Sequence, residues 1–315
     1  MDSTLFAPGE VITASKDFII GHGVHTEEGK AVSSVLGKAE LVDRLLTVVP
    51  VKSRYRGEVG DVVVGRVVEI FQKQWRIDVG SRVHAALLLS AVNLPGGVLR
   101  RKDETDELNM RAFLQEGDLI SAEVQKIHND GSLALHSRNL QYGRLENGFL
   151  IKVSASLIKR SKKHFHTFPC GVKCVLGMNG WIWLEGDEGA SETKEQKEKS
   201  IEEYKGTTIL PEQASAVAAA SSAYSFPVIS PSTRENLARM RNVISAMYLV
   251  FHPIYPDAMQ SVYDISLTIF ESPSALLIEE NARHLMDLYI QLEEEKEKEK
   301  EKEMKRKLEL QQQQP

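Results

Sequence analysis

With 315 residues, 42% of them apolar and 26% charged, and a formal net charge of −5, the chain has the size and make-up of a globular protein of two or three domains. It contains no run of about 18 apolar residues, which excludes a helical membrane span, and Met1-Asp2-Ser3-Thr4-Leu5-Phe6 lacks the basic and apolar segments of a secretory signal, so none is expected. Two cysteines, Cys170 and Cys174, are too few for a disulfide framework and fit a reducing compartment.

Residues 1–56 carry short apolar runs broken by glycine. Pro8-Gly9, Gly21-His22-Gly23 and Gly29 read as turns, and Val32 to Leu36 and Ala39 to Val51 as strands, so a small β domain is predicted. Residues 57–139 predict a five-stranded barrel. Val59-Gly60-Asp61 opens a strand reaching Phe71. From Gln74 to Val79 the chain alternates strictly, with Trp75, Ile77 and Val79 on one face and Gln74, Arg76 and Asp78 on the other. That alternation assigns Trp75 to the core. His84 to Leu89 is a third run, followed by a long loop. Glu116-Gly117-Asp118 opens a second long strand, Leu119 to Ile127, and Asn129-Asp130-Gly131 turns it into Ser132 to His136. Asp-Gly between alternating runs is a strong hairpin signal.

Residues 140–292 read as a mixed α/β unit with an insertion. Phe149 to Leu157 and Trp181 to Leu184 have the pattern of strands. A helix is predicted from Ser232, with Leu237, Met240, Ile244, Met247 and Phe251 on one stripe and Glu235 completing a capping box; a last helix is predicted near Ser272-Pro273. Residues 186–208, rich in Glu, Lys, Ser and Gly, predict a disordered, solvated insertion. Residues 293–315 are Glu/Lys repeats followed by glutamines, a charged low-complexity tail that is either a solvated helix extension or disordered.

The acidic total hides a basic stretch: from Ile151 to Gly180 there are six Lys or Arg and no Asp or Glu. Within it His164, His166, Cys170 and Cys174 supply four candidate metal ligands, but the spacing departs from the usual zinc pairs. The thiols are read as structural. Nuclease chemistry on RNA commonly needs clustered carboxylates to hold metal ions. The acidic clusters here, such as Asp103-Glu104 and Asp106-Glu107, sit among lysines and arginines in loop-like sequence, and no GxSxG, HExxH or P-loop pattern occurs.

The paired Gly-Asp strand openings, the hairpin and the closing strand make residues 57–139 resemble the S-one (S1) type of RNA-binding domain, an OB-fold barrel. Laid strand for strand on that family, the RNA face falls on Lys73, Arg76 and Leu88, with His128 on the later strand. The family's aromatic stacking set is largely missing. The implied contacts are therefore electrostatic, through Lys73, Arg76 and His128, with Arg100 and Arg101 in the long loop; such cations grip phosphates without reading bases. Gly177-Met178-Asn179-Gly180 fits the GxxG loop of KH domains, where small residues let an RNA backbone approach. The same loop is open to a second reading, in which it packs against the neighbouring domain.

The succession of N-terminal β domain, barrel and KH unit over residues 5–292 resembles the cap-subunit family of the RNA exosome, of the ribosomal-RNA-processing-four type. The residues that carry the likeness are Tyr55-Arg56-Gly57-Glu58-Val59-Gly60-Asp61, Leu87-Leu88-Leu89-Ser90 through Asn93-Leu94-Pro95-Gly96-Gly97, Phe113-Leu114-Gln115-Glu116-Gly117-Asp118-Leu119-Ile120, His164-Phe165-His166 and Leu176-Gly177-Met178-Asn179-Gly180. The resemblance implies a multidomain β and α+β protein with a ring-contacting β domain (1–56), an S-one type barrel (57–139) and a KH domain (140–292). It implies no catalytic residues, no metal, no cofactor and no membrane association. The partners it implies are single-stranded RNA, the RNase-PH-like ring subunits, the other cap subunits and an associated 3′-to-5′ exoribonuclease, in rRNA processing and RNA degradation. It also implies residence in the nucleus and nucleolus and in the cytoplasm. Two other readings stay open: a free-standing RNA-binding factor of translation or mRNA, and a nuclease whose site the motifs do not reveal.

Overall fold

In the computed structural model, which describes residues 5–14, 18–92, 104–139, 141–187 and 229–312, the N-terminal region forms two small sheets. Strands β1 (Leu5–Phe6), β6 (Gly37–Val42), β7 (Leu45–Pro50) and β3 (Ile19–Ile20) make one, in that order, and β2 (Val11–Ala14), β5 (Lys30–Ser33) and β4 (Val24–Glu27) the other. They close on Val24, Ala31, Leu46 and Val48, a core separate from that of the rest of the chain. A domain this small buries little of its surface, and an apolar row stays outside. Ile19 pairs in register with Leu45, which pairs with Val42; the three are 62%, 40% and 63% exposed.

The barrel forms as expected. Strand β8 (Val62–Phe71) lies between β9 (Gln74–Asp78) and β11 (Leu119–Ile127), β10 (Ala85–Val92) pairs with β9, and β12 (Leu133–Ser137) closes the wall by pairing with both β10 and β11. A further strand, β13 (Gly143–Leu145), adds to β11, so the barrel sheet continues past residue 139. The two Gly-Asp openings are one device used twice. The Asp61 N–H donates to the Glu58 carbonyl and the Asp118 N–H to that of Gln115, each at 3.2 Å. Between them Gly60 and Gly117 sit at φ +90° and +96°, the third position of a type II turn, which favours glycine. Each aspartate carboxylate then accepts from the N–H at the start of its turn, Glu58 at 3.0 Å and Gln115 at 2.8 Å. The turn launches the strand, which is why the dipeptide marks both strand starts. Trp75 is fully buried with Ile77 and Val79. A buried indole needs an acceptor, and its Nε1–H donates to the Leu114 carbonyl at 3.1 Å. Leu114 follows two short helices, α1 (Glu104–Leu108) and α2 (Met110–Phe113), in a segment whose sequence pattern predicts only loop.

The C-terminal unit is an antiparallel sheet in the order β14 (Gly148–Lys152), β17 (Trp181–Gly186), β16 (Val172–Leu176), β15 (Phe165–Phe168). Helix α3 (Pro231–Leu249) lies against it, with α4 (Pro256–Ile269) and α5 (Glu279–Gln312) packed on α3. Leu237, Met240, Ile244 and Met247 form the buried stripe of α3, as their spacing predicts. Three expectations need correction. The helix starts at Pro231 and its cap is Ser230, whose Oγ accepts from the Thr233 N–H at 3.2 Å, so the Ser232–Glu235 capping box is not the start signal. Phe251 lies beyond the helix end and is 45% exposed. Ser272-Pro273 opens a 3-10 turn, Pro273–Leu277, and the last helix begins at Glu279. Helix α4 is not among the predicted helices, although Ala258, Met259, Val262, Tyr263 and Ser266 form a buried stripe at helical spacing. Its end is held by Arg239, a buried guanidinium that donates to the carbonyls of Ser266 (3.0 Å), Phe270 (2.8 Å) and Glu271 (2.7 Å); a buried cation at a helix C-terminus is stabilised by those otherwise unpaired carbonyls. The backbone of the Glu/Lys segment is helical to Gln312. Of the predicted insertion, residues 188–208 lie outside the described residues.

Candidate nucleic-acid interface

On the barrel wall the expected cations are already engaged. Gln72 and Lys73 make the tight turn between β8 and β9 with φ +35° and +65°, the two positive values of a type I′ hairpin turn. The Lys73 ammonium meets Glu107 of α1 at 2.6 Å, and that carboxylate holds the lysine pKa above its ordinary value. Arg76 donates to Glu69 at 3.1 Å and lies 5.6 Å from the centre of the Phe71 ring. Leu88 is 46% exposed on the strand beside it.

Phe71 is not singled out by its sequence, and the reason is local. From Val67 to Glu69 strand β8 advances two residues while β9 advances one. That β-bulge shifts the alternation by one residue. Glu69 and Phe71 therefore come out to the solvent face beside Arg76, where unbroken alternation from Val67 would have turned them in.

His128 is exposed at the far end of the wall. It follows β11 at the end that pairs with the start of β8, whereas Lys73 follows the end of β8. The structure thus groups Lys73, Arg76 and Leu88 and leaves His128 apart. Arg100 and Arg101 lie outside the described residues.

The GxxG loop faces inward. Met178 and Asn179 are buried, and the Met178 N–H donates to the Val62 carbonyl at 2.8 Å. The Asn179 side chain takes over the duties of a missing strand. Its Oδ1 accepts from the Val64 N–H at 3.3 Å, and its Nδ2 donates to the carbonyls of Val64 at 2.7 Å and Val79 at 2.9 Å. A β-carbon on Gly177 would stand 2.6 Å from the Trp181 carbonyl oxygen and 3.1 Å from the Val64 nitrogen, so glycine is needed for the close approach to the barrel. Around this point Val64, Val175, Trp181 and Trp183 form an apolar seam between barrel and sheet. Tyr142 of the barrel and Phe165 of β15 meet at 5.7 Å. Met178 and Asn179 are therefore bonded to the barrel backbone, the arrangement described by the second of the two readings.

At the edge of the seam Asp61 is buried and accepts from the Tyr55 hydroxyl at 2.7 Å and from Arg160 at 2.8 Å. Burial and then the Asp61 carboxylate push the Tyr55 phenol well above its ordinary pKa. A shallow cleft of about 430 Å³ opens here, lined by Glu58, Asp61, Arg160, Lys162 and His164. The four candidate metal ligands are not gathered into one site, although His166 and Cys174 are paired across neighbouring strands. His164 Nδ1 bonds the Leu176 carbonyl at 3.1 Å, His166 Nε2 the Lys163 carbonyl at 3.0 Å, and Cys174 is buried in the sheet, where burial raises its thiol pKa. Among the described residues no group of three or more His, Cys, Asp or Glu is arranged to hold a metal ion.

Comparison with known proteins matches the chain in three consecutive parts. Residues 5–42 match the family described as the exosome complex exonuclease RRP4 N-terminal region, residues 54–126 the RRP4 S1 domain, and residues 148–189 the KH domain. Exosome complex component RRP4 of Mus musculus is 53% identical over 180 residues, which cover 57% of this chain and 61% of the mouse protein. The match to the mouse relative thus spans about three fifths of that relative's length. Exosome complex component RRP4 of Saccharomyces cerevisiae is 40% identical over 291 residues, covering 89% of this chain and 80% of the yeast protein. The Caenorhabditis elegans homolog is 40% identical over 266 residues, 84% of this chain and 80% of its own. Matches at 40% identity that cover 89% and 84% of its length place this chain in the family of exosome complex component RRP4.

Proposed function

We propose that this chain is a non-catalytic, RNA-binding cap subunit of an RNA exosome. It stabilises an RNase-PH-like ring alongside the other cap subunits and guides single-stranded RNA to an associated 3′-to-5′ exoribonuclease, in rRNA processing and RNA degradation. It works in the nucleus and nucleolus and in the cytoplasm. The observation that carries the reading is family membership across a barrel and a KH domain fused into one unit. That construction supports a rigid wall along which a strand is led. The exposed row Ile19–Leu45–Val42 supports ring contact through the N-terminal domain, because side chains paired across neighbouring strands share a face and a contiguous apolar patch marks an interaction surface.

Isolation of the tagged chain from cells is expected to bring RNase-PH-like subunits in equal amounts. Ile19→Asp with Val42→Asp is expected to remove them while circular dichroism stays unchanged. Recovery with ribosomes, or alone, would support the free-standing factor. The purified chain is expected to leave a 3′-labelled RNA intact in the presence of Mg²⁺. Shortening that persists through extensive purification would make it a nuclease.

A further inference from the structure

A second surface, away from the barrel wall, has the chemistry of a nucleic-acid site. Where the linker after β7 crosses the end of β14, a shallow groove of about 490 Å³ is lined by Lys52, Ser53, Arg54, Lys152, Ser154 and Tyr248. Three cations and no carboxylate line it. None of the three is ion-paired among the described residues, and all are exposed. That contrasts with Lys73, Arg76 and Arg160, each of which already has a carboxylate within 3.1 Å. The Lys152 ammonium and the linker backbone are also held in place. Lys152 Nζ sits 3.6 Å above the Trp181 ring, and the hydroxyls of Ser154 and Ser156 donate to the Val51 carbonyl at 3.3 and 2.8 Å, which fixes the linker just before Lys52.

The groove continues into an aromatic pair. Tyr248 lies 6.0 Å from Phe251, ring centre to ring centre, and Phe251 is 45% exposed. The backbone here ends α3 in a Schellman closure: the His252 N–H donates to the Met247 carbonyl at 3.0 Å and the Phe251 N–H to that of Tyr248 at 3.2 Å. Phe251 occupies the left-handed position of that closure, with φ +55°, where glycine is the usual residue. The chain thus holds a large aromatic in a strained conformation and turns it to solvent beside unpaired cations. Strain of that kind belongs at sites with a task beyond folding. A positive groove next to open aromatic faces is how single-stranded nucleic acid is bound without sequence preference, phosphates on the cations and bases on the rings.

We infer that Lys52, Arg54 and Lys152, with the Tyr248–Phe251 pair, form a second contact site for single-stranded RNA, separate from the barrel wall. The inference rests on the RNA-binding function proposed for the chain, and the site takes phosphates on its cations and one or two bases on its rings. An acidic protein segment is the competing occupant; it would use the cations but has no need of an exposed ring.

The test is fluorescence anisotropy of the full 315-residue chain with a labelled oligouridylate of about 20 nucleotides, long enough to span more than one site. Lys52→Glu with Arg54→Glu is expected to weaken binding and to make the plot of log affinity against log salt shallower by about 1.4, about 0.7 for each phosphate no longer neutralised. Phe251→Gly is the discriminating variant. It relieves the left-handed strain, so the melting temperature is expected to hold or rise, while removal of one stacked base weakens RNA binding about tenfold. Wild-type affinity in both variants overturns the inference and leaves the general RNA-binding function standing. Failure of the wild-type chain to bind the oligonucleotide at all overturns both. Binding of a labelled polyglutamate peptide that the double variant abolishes, with RNA binding unchanged, assigns the groove to an acidic partner and overturns the inference.

Discussion

Asn179 shows how one side chain can decide the relation of two domains. Its amide meets both backbone groups of Val64 and the carbonyl of Val79 with almost no access to water. Leaving a buried backbone group without a partner costs about 1–3 kcal/mol. Asn179→Ala is therefore expected to destabilise the chain by about 2–4 kcal/mol, allowing for partial rescue by water at the seam. Denaturant unfolding followed by Trp fluorescence checks this, since Trp181 and Trp183 line the same seam. A shift below about 0.5 kcal/mol, the size of an ordinary surface substitution, would mean that the amide does not join the domains. The residue was legible in the sequence only as one letter of a four-residue loop. The pattern Gly-x-Asn-Gly announces a tight approach to something, and nothing local says whether that something is an RNA backbone or a strand more than a hundred residues earlier. Lys73 and Arg76 illustrate the same limit. Their charges were readable, but Glu107 and Glu69, which engage them, were not, because those ion pairs depend on a helix in the loop and on a bulge in the strand.

At the scale of elements, what could be read were local devices repeated in a recognisable order. Gly60-Asp61 and Gly117-Asp118 begin strands by a turn in which a backbone bond and a carboxylate bond are both closed within four residues, and the Asp130-Gly131 hairpin closes on itself through Ser132. Elements set by distant partners escaped. Helix α4 escaped although Ala258, Met259, Val262, Tyr263 and Ser266 recur at helical spacing; what its own sequence does not show is that Arg239 from α3 satisfies its last carbonyls. The bulge at Val67–Glu69 has no sequence mark at all, yet it decides that Glu69 and Phe71 share the outer face with Arg76. This element gives a prediction about the barrel wall. The carboxylates of Glu69 and Glu107 compete with phosphate for Arg76 and Lys73. If the wall contributes to RNA binding, Glu69→Gln with Glu107→Gln frees both cations, so the chain is expected to bind single-stranded RNA more tightly, with a salt slope steeper by about 1.4, about 0.7 for each further phosphate neutralised. Anisotropy titrations at three or four salt concentrations measure it. An unchanged slope removes Lys73 and Arg76 from the RNA path and leaves the groove by Lys152 as the stronger candidate.

The whole molecule combines one continuous core through barrel and KH domain, a small separate core in the N-terminal sheets, and a long final helix anchored at its first half. Leu285, Met286 and Tyr289 bury the beginning of α5, and Glu293 fastens it where the side chains turn polar. The Glu293 carboxylate accepts from the hydroxyls of Tyr255 and Tyr289, at 2.9 and 2.5 Å, and faces His252 at 3.6 Å. Burial works against the ionised form, but the Tyr289 and Tyr255 hydroxyls and His252 outweigh it, so Glu293 ionises below the ordinary carboxylate range. A carboxylate whose pKa is depressed on folding stabilises the folded state above its unfolded pKa, about 4.3 for glutamate. It loses that contribution as the pH falls through the folded value. Docking of α5 is thus expected to be at full strength near neutrality and to weaken on acidification below about pH 4.3. Amide hydrogen exchange along residues 279–292, taken from neutral pH downward and compared with the barrel strands at each pH, reads this directly. In Glu293→Gln the carboxamide oxygen can still accept from both tyrosines, which share Oε1, but the charge facing His252 is gone and the group cannot titrate. Protection of α5 is expected to be lower than in the wild type at neutral pH and to lose its separate acid dependence. If the variant and the wild type lose α5 protection along the same acid curve, the anchor lies elsewhere in the helix and the three-sided clamp on Glu293 does not govern it.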